Sequence, residues 1–266
     1  MLDLISRRTF LVGTLACSCT PAFSMNGVLG CLGASAVPEQ AAVSKNSPHV
    51  NAAVNHIIEA ASEIFSIDDN SFITISSDRD ISPEVRWRRC DSEAIFELVL
   101  PRRALSRVRE REGEPGLLFV IAHELAHIAC LRSTDLRTRM CAKNGIGQKP
   151  IKHIELIADF MSGYAFGQIY RTSQQLDGFT PNTRSVSRTV TALADYQFAN
   201  VRHHGTVSER VSAFGFGNIS AAIGQAIDPK WLMENDTRFM ELLFVAQRGR
   251  DRHEVTMIQN VEALYR

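Results

Sequence analysis

Residues 116–131 read GLLFVIAHELAHIACL, a nearly continuous apolar run around which the rest of the chain has to fold. The spacing predicts a single helix that is apolar on almost every side, and such a helix lies in the core of a protein. Two histidines and one glutamate interrupt the run, at His123, Glu124 and His127. Burying these polar groups is costly unless something binds them. The run therefore predicts a central helix that carries a polar site.

The interruption has the HExxH pattern. Histidines four positions apart on a helix place both imidazoles on one face, where a tetrahedral zinc ion takes two of its ligands. Glu124 lies about a third of a turn away from that face, so it does not join the ligands. It can reach a zinc-bound water and take its proton. We therefore predict one zinc ion per chain, with His123 and His127 as ligands and Glu124 as the catalytic base.

A third ligand is expected in the next long helix. The sequence ELIAD begins at Glu155, 28 residues after the second histidine of the pentapeptide. Glu155 and Asp159 share a helix face, so Glu155 can bind zinc while Asp159 accepts the free ring N–H of one of the two histidines. The apolar flanks argue against the alternative, a fully solvated acidic face. Ala158 and Gly163 are expected to let this helix approach the HExxH helix closely.

These two segments together resemble a known group of enzymes. HExxH followed by E-x-x-A-D is similar to the gluzincin metallopeptidases. Residues 155–163, ELIADFMSG, are similar to a segment of the CAAX-endopeptidase-like family and of bacterial neutral zinc metallopeptidases. The resemblance covers roughly residues 117–217, with gaps. It implies a zincin-like catalytic domain that hydrolyses peptide bonds of polypeptide substrates.

A third block, residues 204–210 (HGTVSER), resembles the H-P-x(4)-R element of the same family. The resemblance implies that His204 and Arg210 lie over the zinc cleft and stabilise the oxyanion or hold the ligands. Gly205 stands where the family has proline. Two alternatives stay open for His204: a fourth zinc ligand that closes the resting enzyme, or a surface histidine before a helix capped by Thr206.

The N-terminus predicts export. Ser6-Arg7-Arg8-Thr9-Phe10-Leu11 precedes an uncharged stretch that ends in Ala34-Ser35-Ala36. The paired arginines and the A-x-A site are typical of a twin-arginine-type signal peptide over residues 1–36. We expect cleavage before Val37 and a periplasmic or otherwise exported protein in a bacterium. The alternatives are an uncleaved membrane anchor and a lipid anchor on an N-terminal cysteine.

The remainder predicts a flexible lead-in over residues 37–50 and one metallopeptidase domain over residues 51–266. Periodicity indicates a helix over residues 51–67 and then three short strands. After Pro101 it predicts helices over residues 102–111, 116–131, about 151–173 and about 182–201, followed by several shorter helices over residues 207–266. The expected class is α+β and helix-rich, with a small, mostly antiparallel sheet before the catalytic helix. The predicted strands cover residues 71–77, 84–90 and 93–100. We expect residues 96–100 to form the edge strand that pairs with an extended peptide substrate.

Charge and cysteines restrict the partners and the redox chemistry. The 29 basic and 29 acidic residues cancel, which argues against a nucleic-acid partner. The longest apolar run is interrupted by polar residues, so no transmembrane span is expected after the leader. Cys90, Cys130 and Cys141 follow the leader, and either Cys130 pairs with Cys141 or all three are buried thiols. The sequence does not indicate an oligomeric state.

The leading interpretation is an exported zinc endopeptidase acting in envelope protein quality control. One alternative is a catalytically silent, zinc-containing binding or chaperone-like module, and a latent protease is another. A zinc hydrolase acting on a cell-wall fragment is also compatible with the pattern. Glu124 favours an enzyme, because a purely structural zinc site gains nothing from a base beside an open coordination position.

Overall fold

The computed structural model describes residues 26–30, 52–67, 73–74, 83–88, 95–132, 151–177, 186, 188–190 and 205–248. Four strands and six labelled helices lie in these ranges. The strands are β1 (Asn26–Gly30), β2 (Ile73–Thr74), β3 (Glu84–Arg88) and β4 (Ile95–Val99). The helices are α1 (Ala52–Ile64), α2 (Arg102–Leu131), α3 (Ile151–Asp177), α4 (Val207–Ala222), α5 (Pro229–Glu234) and α6 (Asp236–Arg248). The protein is helix-rich with one small, mostly antiparallel sheet, which confirms the predicted α+β class.

The sheet has the strand order β1-β3-β4-β2. β1 and β4 both pair antiparallel with β3, whereas β2 pairs parallel with β4. The prediction that residues 96–100 form an edge strand is wrong, because β4 lies between β3 and β2. The error arose because Ile73–Thr74 pairs with Leu98 and Val99, at the C-terminal end of β4. Such a pairing between distant segments cannot be read from the periodicity of either strand.

β1 was not anticipated, since it falls inside the predicted signal peptide. Its sequence, NGVLG, contains two glycines and an asparagine, all of which are depleted in strands. Apolar alternation is too short there to indicate a strand. The predicted helix over residues 182–201 lies largely outside the described residues, of which 186 and 188–190 are helical.

Helix α2 contains two parts with different surroundings. Gly113 breaks the helical conformation with φ 70° and ψ −162°, and Pro115 follows it. The break agrees with the two separate helical runs read from the sequence, because glycine adopts positive φ readily and proline suits a first helical turn. Every residue from Pro115 to Leu131 is buried.

Among the described residues, α2 alone is long and apolar enough to cross a membrane. However, 89% of its most apolar window is buried inside the fold. Such burial is what the sequence predicts for the central helix of a core. The helix packs against α1 and α3 and also contacts β3 and β4.

Aromatic side chains join the three helices that surround the polar site. Phe214 of α4 contacts Phe119 of α2 edge to face, with ring centroids 5.7 Å apart. The same ring contacts Phe166 of α3 at 5.3 Å. Each such pair stabilises the packing by about 0.5–1.5 kcal/mol beyond its area burial. The aromatic cluster therefore fixes α2, α3 and α4 relative to one another.

Helices α3 and α4 approach through reciprocal glycines. A Cβ atom added to Gly217 of α4 would lie 1.8 Å from the carbonyl oxygen of Phe160, and one added to Gly163 of α3 would lie 2.0 Å from that of Phe214. Both separations are far inside van der Waals contact, so only glycine fits at either position. Gly163 therefore serves the contact with α4, and the prediction that it serves the contact with the HExxH helix is wrong.

Candidate metal centre

The two predicted histidine ligands lie on one face of α2. Their Nε2 atoms are 3.1 Å apart, and their rings cross nearly at right angles with centroids 4.7 Å apart. Both side chains are fully buried. The four-residue spacing therefore brings two imidazole nitrogens to one point inside the core, as the helical period requires.

Glu155 of α3 supplies a carboxylate to the same point. Its Oε2 lies 3.2 Å from Nε2 of His123, and its Oε1 lies 3.5 Å from Nε2 of His127. The ligand atoms of the three residues all lie within 4.8 Å of one another. This buried group, called the metal cluster below, could hold a metal ion.

The spacing within the metal cluster is close to that of the ligands around a coordinated ion. Ligand bonds of about 2.0–2.1 Å in a tetrahedral arrangement place neighbouring ligand atoms about 3.3 Å apart. The two Nε2 atoms are 3.1 Å apart, and each carboxylate oxygen of Glu155 lies at a similar distance from one of them, Oε2 at 3.2 Å from His123 and Oε1 at 3.5 Å from His127. Two imidazoles and one carboxylate are therefore close enough to share one ion.

Burial keeps His127 in the form that binds metals. Desolvation lowers the pKa of His127 from 6.5 to about 3, although the negative charge of Glu155 raises it in part. The imidazole is therefore neutral near pH 7, and one ring nitrogen carries a free electron pair. Neutral imidazole is the ligand form that a metal ion requires.

Asp159 holds the other histidine, as the sequence predicted. Its Oδ1 lies 2.9 Å from Nδ1 of His123, and both side chains are fully buried. Burial alone would raise the pKa of Asp159, but the charge and hydrogen bonds of Arg210 and His123 outweigh it and lower the pKa below its usual value. An ionised Asp159 favours the proton on Nδ1 of His123, so the electron pair of the ring lies on Nε2, the nitrogen that faces Glu155 and His127.

Arg210 is buried against this aspartate. Its Nε donates to Asp159 Oδ2 at 2.7 Å and its Nη2 donates to Asp159 Oδ1 at 2.8 Å. The same Nη2 lies 3.9 Å from Oε2 of Glu155. Such a two-point guanidinium–carboxylate contact fixes orientation as well as charge. The family resemblance implies two roles for Arg210, stabilising the oxyanion or holding the ligands. These contacts support the second role.

The first turn of α4 places Arg210 in position. Thr206 caps the helix: its Oγ1 accepts from the backbone N–H of Glu209 at 3.1 Å, and the Glu209 carboxylate accepts from the backbone N–H of Thr206 at 2.8 Å. Lys152 of α3 pairs with the same carboxylate at 2.5 Å. The Thr206 cap confirms that part of the sequence reading. Glu209 and Lys152 were missed, although T-x-x-E is a readable capping-box signal.

Gly205 adopts φ +103°, and a Cβ atom there would lie 3.1 Å from Cδ2 of Leu156. Proline has φ fixed near −65°, so it could not take this conformation. The local backbone therefore requires glycine at position 205, where the motif that this segment resembles has proline. His204 lies outside the described residues, and its predicted role stays a prediction.

Two further residues considered in the sequence are buried in α2. Glu124 is fully buried in α2, directly after His123. Cys130 is also buried, with its sulfur 3.7 Å from that of Met161 in α3. Cys141 and Cys90 lie outside the described residues, so the pairing of the cysteines stays open.

The structure thus brings together His123, His127, Glu155, Asp159 and Arg210 from three helices that are far apart in sequence. Comparisons of this chain with protein-family models, with curated proteins and with solved structures found no match.

Proposed function

We propose that this protein is a zinc-dependent endopeptidase in which His123, His127 and Glu155 bind the metal and Glu124 is the catalytic base. The observation that carries the proposal is the convergence of the three buried side chains, whose ligand atoms all lie within 4.8 Å of one another. Glu124 follows the first ligand in the same buried helix.

The ligand set favours zinc in a catalytic site. Catalytic zinc sites use three protein ligands and keep the fourth position for water, whereas structural sites use four. Among the described residues, the metal cluster offers three ligands. Two imidazoles and one carboxylate form a mixed nitrogen and oxygen set that suits zinc.

The side chains around the metal cluster have separate tasks. Zinc, when bound, would lower the pKa of a coordinated water and polarise the carbonyl group of a peptide bond. The carboxylate of Glu124 would accept the proton of the attacking water and deliver it to the leaving nitrogen. Asp159 orients His123 through Nδ1, and Arg210 keeps Asp159 ionised and fixed.

The substrate class and the location rest on the sequence. The resemblance of the HExxH and E-x-x-A-D segments to gluzincins supports polypeptide substrates. The paired Arg7 and Arg8 support export across a bacterial inner membrane. Replacing both with lysine should retain the protein in the cytoplasmic fraction. Unchanged export of that variant would contradict twin-arginine transport.

The central test compares four full-length chains for zinc content and casein cleavage. The unaltered chain should hold one zinc ion and cleave casein. Glu124→Gln should keep the zinc and lose cleavage, and Glu155→Ala should lose zinc affinity. Glu59→Gln is the control, because Glu59 is an exposed glutamate of α1 that belongs to neither the metal cluster nor the sheet. Equal zinc content in all four chains would remove Glu155 from the ligand set.

One observation favours a latent form of the same enzyme. The side chains of His123, Glu124, His127 and Glu155 are all fully buried, whereas a peptide bond must reach the metal. In a latent protease, cleavage by the zinc-loaded chain should rise in urea below the unfolding transition. Bound zinc with no cleavage under either condition would favour the silent binding module.

A further inference from the structure

Strand β1 belongs to the sheet although it lies within the predicted leader. It pairs antiparallel with β3 over five residues, from Asn26 opposite Arg88 to Gly30 opposite Glu84. On its other side, β3 pairs with β4. The predicted cleavage site after Ala36 lies six residues beyond Gly30. Cleavage there would therefore remove a paired strand together with the leader.

Loss of β1 would expose the edge of a strand that is fixed in the core. Val85 of β3 is fully buried and Trp87 is 4% exposed, so β3 would stay in place when β1 left. The N–H and C=O groups of an open strand edge promote aggregation, and folded proteins keep such edges covered. A chain that keeps its leader also keeps this edge covered.

The sequence before β1 has the properties of a membrane anchor. Residues 9–25, TFLVGTLACSCTPAFSM, contain no charged side chain, and Arg7 and Arg8 precede them. A spanning helix needs about 17–25 mostly apolar residues, whereas the apolar region of a cleaved signal peptide has about 7–15. Basic residues mark the cytoplasmic side of a membrane span. An anchor over residues 9–25 would join the fold at Asn26, the first residue of β1.

The end of the sheet at Asn26 carries an exposed apolar side chain. In the sheet register Asn26 lies opposite Arg88, and Arg88 lies opposite Ile95 at the start of β4. Ile95 is 49% exposed, the only large apolar residue of the described part of the chain that is exposed. Apolar residues combined with basic residues bind anionic membrane surfaces, because the apolar groups enter the acyl boundary and the basic groups attract phosphate.

We propose that the leader is retained as a membrane anchor, that β1 ties it to the sheet, and that the sheet end formed by Asn26, Arg88 and Ile95 faces an anionic lipid surface. The proposal concerns the attachment of the protein to a bilayer and does not rest on the proposed endopeptidase function. An anchored endopeptidase would act on polypeptides close to the membrane.

The first experiment maps the N-terminus of the exported protein. The full-length chain carrying Glu124→Gln, which removes self-cleavage, is produced in a bacterium with twin-arginine transport. Protease added to spheroplasts identifies exported molecules, and an alkaline carbonate wash separates integral from peripheral membrane proteins. Exported molecules should remain in the washed membranes, and their intact mass should include the residues before Val37. Exported molecules that begin at Val37 would overturn the proposal.

Variants of β1 test whether its pairing preserves the leader. Val28→Pro and Leu29→Pro each weaken the strand, because proline fixes φ and removes an N–H. Once β1 leaves the sheet, the segment before Ala36 becomes accessible to the leader peptidase. The proline variant that loses a ladder hydrogen bond should therefore be shortened to Val37 and leave the membrane. Val28→Thr is the matched control, because threonine keeps a β-branched side chain, and it should retain the leader. Equal retention in all of these chains would overturn the role of β1.

The second experiment measures lipid contact in purified protein and does not depend on export. The full-length chain is reconstituted in vesicles of phosphatidylethanolamine and phosphatidylglycerol, with photoreactive benzoylphenylalanine at position 95 or, as the control, at position 59. Glu59 is an exposed residue of α1, outside the sheet. Mass spectrometry should find several-fold more lipid adducts at position 95 than at position 59, and fewer at position 95 in phosphatidylcholine alone. Equal labelling of the two positions would overturn the assignment of this sheet end to the membrane.

Discussion

Replacing Arg210 with methionine is expected to lower the free energy of unfolding by about 3–5 kcal/mol at pH 7. The guanidinium is fully buried and donates two hydrogen bonds to Asp159, at 2.7 and 2.8 Å. Methionine fills much of the same space but carries no charge. The variant would leave an ionised carboxylate buried without that partner, which is the costly half of a broken ion pair. Native domains are stable by only about 5–15 kcal/mol in total.

Two controls separate this pair from charge effects in general. The double variant Arg210→Met with Asp159→Asn should recover much of the loss, because the uncompensated charge is removed as well. Arg109→Met removes a surface arginine that is 47% exposed and lies 3.9 Å from Glu114. That change should cost at most about 1 kcal/mol.

Urea unfolding of each variant, followed by circular dichroism with chelator present, gives the free energies. Zinc competition with a chromophoric chelator gives the metal affinity, which should fall about 10- to 100-fold in Arg210→Met because Asp159 orients His123. A loss of stability no larger than that of Arg109→Met would refute the assignment of Arg210 as the residue that fixes Asp159. Unchanged zinc affinity would show that Asp159 does not tune the metal cluster.

Three further outcomes are expected. Gly217→Ala should lower the free energy of unfolding in urea by more than about 3 kcal/mol, because the added Cβ would meet the carbonyl of Phe160. Gly224→Ala is the control and should lower it by about 1 kcal/mol, since Gly224 has φ +73° but open space around it. Glu209→Gln should cost about 1–2 kcal/mol at pH 7. Burial raises the pKa of Glu209, but hydrogen bonds from Lys152 and from the helix cap outweigh burial and hold the pKa below 4.5. The stabilisation by the ionised carboxylate is therefore complete above pH 4.5 and is lost as the pH falls through the lowered pKa. The unfolding curves of the native protein and of the variant should converge in acid. Equal differences at pH 7 and pH 3 would contradict this account. Saturating zinc at 100 times its dissociation constant should add about 2.7 kcal/mol to the stability of the metal-free chain, and a melting temperature unaffected by zinc would count against the metal cluster.

The metal cluster was readable from the sequence because its members are set by helical period. His123 and His127 share a face through the four-residue step, and Glu155 and Asp159 do so in α3. The flanking apolar residues indicated burial, which all four side chains show. Local periodicity and the cost of burying polar groups were sufficient for these assignments.

The errors concern contacts between segments that are distant in the chain. The parallel pairing of Ile73–Thr74 moved β4 away from the edge, and Gly163 proved to face α4. The pairing of Arg210 with Asp159 spans 51 residues and was not expected, because the family resemblance implied only that Arg210 stabilises the oxyanion or holds the ligands. Which residues contact one another across the fold depends on the packing of the whole chain, so such contacts cannot be read from a short segment of sequence.

The residues of the metal cluster come from two helices that are packed together but far apart in sequence. His123 and His127 belong to α2, whereas Glu155 belongs to α3, which is interlocked with α4 through glycines. A bound ion would therefore act as a removable crosslink between α2 and the α3–α4 pair. Because the three side chains are fully buried, ion exchange requires a transient local opening between α2 and α3. The residence time of the ion would then depend on how often the core opens. A slow rate of zinc dissociation would therefore reflect slow opening of the core as well as strong bonds between zinc and its ligands.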